Sequence, residues 1–138
     1  MRVLLIFVDG VGLGEPDPDF NPFAVAELPT FAALLGADWL RCMTPLVRAD
    51  ASLAALDAQL GVAGLPQSGT GQSALLTGEN TARRFGRHAG PWVPTALRSL
   101  VRERSVLARA RAQGAAVAFA NAYPEELVAA AAPRGPLL

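Results

Sequence analysis

The stretch Val3-Leu4-Leu5-Ile6-Phe7-Val8-Asp9-Gly10 opens the chain and decides how the rest is read. Six apolar residues follow one another without alternation. That pattern predicts a strand covered on both faces, as in a parallel sheet, rather than one with a wet face. Asp9-Gly10 ends the run, and the Gly-, Pro- and Asp-rich stretch that follows (GVGLGEPDPDFNP) predicts a long loop.

Further elements are expected downstream. Pro29-Thr30 opens a short helix over Phe31 to Leu35, which Gly36 closes. Trp39 to Thr44 is expected to be a strand, and another is expected near Leu53 to Asp57. The segment from Gly61 to Gly71 is a second Gly-rich loop, and Gln72 to Leu76 form the first turns of a helix. Residues 78–92 read as irregular and basic. Leu97, Leu100 and Val101 recur at helical spacing over Thr95 to Glu103. Ser105 is placed to cap a further helix running to Gln113, which Gly114 ends. Ala115 to Ala120 predict a second buried strand, and Pro124-Glu125-Glu126 is a helix-start signal. Strands alternating with helices imply an α/β fold: a mostly parallel sheet flanked by helices, with ligands beyond the carboxyl ends of its strands.

Composition narrows the function classes. The chain has 138 residues, 12 of them acidic and 12 basic, and all the basic ones are arginine. A balanced charge gives no electrostatic reason to expect nucleic acid or an anionic membrane as partner. A single cysteine excludes a disulfide framework within the chain and a cysteine zinc site. No signal-like h-region and no apolar run of spanning length occurs, so a soluble, cytoplasmic protein is expected.

Two motifs carry possible chemistry. Asp9, directly after a buried strand, suits a hard cation; taken alone, the motif fits an Asp-Gly turn better. The second motif is PQSGTGQSALLTG, residues 66–78, where small residues let the backbone approach an anion and a helix begins. Ser68 and Thr70 offer hydroxyls there, as nucleophile candidates or as helix caps. Three other motifs fail. Gln72 stands where a Walker A lysine must be, and no helix can open in the EPDPDFNP that follows GVGLG. Leu75 replaces the second glycine of a nucleophile elbow.

A buried strand ending in Asp-Gly, with a hydroxyl residue at a helix start about sixty residues later, resembles the alkaline phosphatase superfamily. VLLIFVDGVG is similar to the first metal-ligand strand of the cofactor-independent phosphoglycerate mutase-like branch, and SGTGQSALLTG to the superfamily's nucleophile segment. The similarity runs from Arg2 to about Tyr123 and implies that residues 1–138 are the N-terminal part of one such metalloenzyme domain, incomplete at its C-terminus. It implies a phosphatase or phosphomutase with two divalent cations, Mn or Zn. Asp9 and Ser68 would be metal ligands, Ser68 the nucleophile with Thr70 beside it in the catalytic segment, and a small phosphorylated molecule the substrate. Gln72 stands where mutases often carry histidine. It is assigned to the substrate with Arg87 and His88, in a cluster that also holds Arg83 and Arg84. A solvated basic loop is the competing reading of that cluster.

The superfamily completes its metal cage with Asp and His residues from the C-terminal half. Here His88 is the one histidine and no aspartate follows Asp57. This chain alone is therefore expected to be inactive and to hold no metal tightly, and the ending AAAAPRGPLL fits truncation or a shifted reading frame. Uncovered sheet edge would favour self-association. The alternative function is a non-catalytic α/β domain that binds an anion or a partner.

Overall fold

Helix starts and stops, rather than strand pairing, organise the chain in the computed structural model, which describes residues 2–41, 45–120, 123, 125, 126 and 129. The backbone divides into two units, Met1–Asp57 and Ala58–Leu138.

In the first unit, Asn21 orders the entry to a 3-10 turn at Pro22–Ala24. Its Oδ1 accepts from Phe23 N at 3.1 Å, and its Nδ2 donates to Glu15 O at 3.0 Å. Helix α1, Pro29–Leu35, begins on proline, whose missing N–H costs nothing at that position. It stops at Gly36, where φ is +95° and the amide donates to Ala32 O. A 3-10 turn at Trp39–Arg41 buries Trp39 and Leu40. Phe31 stacks on Trp39 at 5.0 Å between centroids, and Phe23 meets it tilted at 6.0 Å. Strands β1, Leu46–Val47, and β2, Ser52–Leu53, form an antiparallel pair with Leu46 opposite Leu53.

The second unit is helical. Helix α2, Ser68–Thr77, ends at Gly78 in the left-handed region. Asn80 caps α3, Thr81–Phe85, by accepting from Arg83 N at 2.9 Å, and donates from Nδ2 to Leu60 O at 2.7 Å. That second bond holds the loop where Leu60 has φ +54°, a position costly for a branched side chain. A 3-10 turn at Thr95–Leu97 leads into α4, Arg98–Arg104. Ser105 then starts α5, Val106–Ala112, its Oγ accepting from Ala108 N at 3.2 Å. Ala82, Leu97, Leu100 and Val101 form the apolar core, beside the buried hydroxyls of Thr70, Ser73, Thr81 and Ser105. Helix α2 packs on α3, α4 and α5.

This architecture corrects the α/β expectation. The described residues form a predominantly helical structure with one open, two-stranded antiparallel sheet, not a mostly parallel sheet flanked by helices. Val3 to Val8 is extended but belongs to no strand, with Leu4 82% and Ile6 72% exposed. Ala115 to Ala120 pairs with nothing as a strand either. A doubly covered strand requires neighbours on both edges and both faces, and a periodicity argument supplies neither. Trp39 to Arg41 turns as a 3-10 helix where a strand was expected, while residues 42–44 of that segment lie outside the described residues. So do Pro124 and residues 130–138; Glu125 and Glu126 are helical. The helix expected from Gln72 begins four residues earlier, and α3 occupies part of the stretch expected to be irregular. The helices at 29–35 and 106–112 stand where their caps predict.

Candidate functional site

The segment that most suggested chemistry, residues 66–78, is a packing device. Gly69, Thr70, Ser73 and Thr77 form the buried face of α2. Gly69 lies against the backbone of residues 89–92. A Cβ there would sit 2.7 Å from Ala89 O and closer still to Trp92 O, so only glycine fits. The small residues do let another backbone approach, but that backbone belongs to the same unit.

The hydroxyls of α2 are engaged inside the fold. Thr70 Oγ1 accepts from Ala89 N at 3.2 Å and reaches the carbonyls of Gln67 and Ala89 at 3.3 and 3.4 Å, which share its one proton. Thr70 N donates to Ala89 O at 2.9 Å. Ser73 and Thr77 each donate to the carbonyl four residues back, at 2.6 Å. Among the described residues no buried side-chain nitrogen or oxygen lacks a partner.

This bonding joins the start of α2 to the loop after α3, and a cleft of about 470 Å³ opens beside the joint. Ala63, Gly64, Leu65, Gln67, Arg87, His88, Ala89 and Gly90 line it. Gly90 approaches the other wall closely: a Cβ there would meet Ser68 N at 3.1 Å and Gln67 Cβ at 3.2 Å. His88 Nε2 lies 3.0 Å from Val62 O. A carbonyl can only accept, so Nε2 carries the proton in that bond and Nδ1 is the acceptor of the neutral ring. The Arg87 guanidinium lies over the Phe85 ring at 5.5 Å and is exposed. That contact positions the cation without neutralising it.

Arg87 and His88, both expected from sequence, thus line one cleft. Gln72 sits half-buried on α2 and is not among the lining residues. Ser68 is the first residue of α2. Asp9 is exposed in the turn after the extended segment, in the first unit, where Gly10 has φ +74°. Gln67, Gly64 and Gly90 had no signal of their own; the hydrogen bonds of Thr70 to Ala89 and of His88 to Val62 bring the two loops together.

A pair of divalent cations would need several carboxylate or imidazole ligands on common centres. Among the described residues no group of three or more His, Cys, Asp or Glu side chains could hold a metal ion. No helix among the described residues is long and apolar enough to cross a membrane.

No family model, no curated protein and no solved structure matches the chain. The resemblance to the alkaline phosphatase superfamily, in its phosphoglycerate mutase-like branch, is overturned by the fold, because that architecture is sheet-rich and this one is helical. The phosphatase or phosphomutase assignment falls with it. A serine nucleophile in that mechanism depends on a strand-borne metal site, and residues 3–8 form no strand here. The α/β character of the alternative binding domain is corrected by the same observation.

Proposed function

We propose that the second unit is a small helical binding unit whose cleft takes a compact anionic molecule, such as a carboxylate or phosphate ester, without transforming it. The observation that carries this reading is the convergence of Arg87, His88 and Gln67 on one cleft of about 470 Å³, a size suited to a small ligand. The guanidinium offers a planar pair of donors that matches a carboxylate or phosphate edge. The Gln67 amide supplies a neutral donor. His88, held by its Nε2 bond to Val62 O, adds a polar ring to the lining.

Calorimetric titration of the full chain with glycerol phosphate and with inorganic phosphate tests this. Binding in the range of about 0.1–1 mM is expected for an exposed cleft with one guanidinium, and Arg87→Ala should weaken it about tenfold or more. Equal affinity in the wild type and Arg87→Ala, or no binding at 10-fold higher ligand than about 1 mM, removes the proposal.

A further inference from the structure

A second surface of the same unit has the chemistry of a peptide dock. Residues 98–112 carry five arginines and a single acidic residue, Glu103. Glu79 pairs with Arg84 and with Arg104. Among the described residues, no carboxylate lies within salt-bridge distance of Arg98, Arg102, Arg109 or Arg111. Two of the four, Arg102 on α4 and Arg111 on α5, border a cleft of about 520 Å³ whose remaining lining is Leu107, Ala108, Ala112 and Val117. An apolar floor thus lies between two uncompensated cations.

We propose that this cleft docks an acidic, partly apolar peptide segment of a partner protein, with an aliphatic side chain against Leu107 and Val117 and carboxylates against Arg102 and Arg111. Charge complementarity selects an acidic occupant, since among the described residues every charged lining group is an arginine. The apolar floor selects a side chain over a bare anion. Among the described residues no aromatic side chain lines the cleft to stack a base, which disfavours single-stranded nucleic acid.

The test is fluorescence anisotropy of the full chain with a labelled peptide of alternating glutamate and leucine. A glycine-for-leucine peptide, a single-stranded oligonucleotide and phosphatidylglycerol vesicles are measured alongside. The glutamate–leucine peptide should bind most tightly. R102A/R111A should weaken it about tenfold, and Leu107→Ala about threefold, whereas R2A/R48A, with the same loss of two charges in the other unit, should leave it unchanged. Circular dichroism checks that each variant folds; R102A/R111A alters only exposed positions. Any of three results overturns the proposal: equal affinity for the glycine peptide, equal loss in R102A/R111A and R2A/R48A, or binding of oligonucleotide or vesicles in preference to the peptide.

Discussion

The Thr81 hydroxyl, fully buried, donates to the carbonyl of Thr70 at 2.5 Å, tying the first residue of α3 to the first turn of α2. Thr70 in turn holds the loop at residue 89 through both its amide and its hydroxyl. Two threonines therefore connect three segments of the chain, and the cleft lined by Arg87 and His88 depends on that connection.

Thr81→Val keeps the shape of the side chain and leaves the Thr70 carbonyl without this partner. A loss of about 0.5–1.5 kcal/mol is expected for one buried hydrogen bond, because the carbonyl keeps its partner within the helix ladder of α2. Urea unfolding followed by circular dichroism measures it. A change near zero would mean that another donor replaces the hydroxyl.

Gly69→Ala is expected to be worse than a usual surface change, because the added methyl meets main-chain oxygen at residues 89 and 92, which cannot rotate away. Overpacking of this kind costs about 1–3 kcal/mol. The same titration measures the loss, and Gly71→Ala, with open space around its Cβ position, provides the contrast. Its gain in helix propensity should leave it neutral or slightly stabilised.

Ser105→Ala removes the cap of α5 and empties a buried position. About 1 kcal/mol is expected from the cap alone. Hydrogen exchange localises the effect: the amides of residues 106–108 should lose protection before those of α2.

Glu79→Gln tests the surface pairing with Arg84 and Arg104. Both arginines are more than half exposed, so solvent screening limits the loss to about 0–1 kcal/mol. Thermal melts at low and high salt should differ in the wild type by more than in the variant.

Residues 3–8 present uncharged aliphatic and aromatic side chains to solvent, with Val3 80% and Leu4 82% exposed. An extended apolar segment of this kind promotes association between copies. Light scattering of the full chain should show an apparent mass that rises with concentration, and Ile6→Glu should suppress the rise. A constant monomeric mass for the wild type would exclude it.

The signals that can be read directly from the residues act within a few positions of chain. Proline at the start of α1 and Gly36 after it, Ser105 before α5 and Gly114 beyond it, act through local backbone geometry and bonds to the nearest amides. They were legible because cause and effect share one turn. Arg87 and His88 were legible as polar groups in one loop, but the wall opposite them was not.

Tertiary structure decided everything that needs a distant partner. An apolar run such as Val3 to Val8 becomes a strand only if another segment supplies its hydrogen bonds, and no local signal says whether one will. The small residues of α2 were compatible with cradling an anion or accepting a neighbouring backbone; the position of residues 89–92 chose the latter. Local rules set where helices begin and end because their bonds close over four residues, whereas sheet pairing and the use of a buried hydroxyl depend on contacts set by the whole packing.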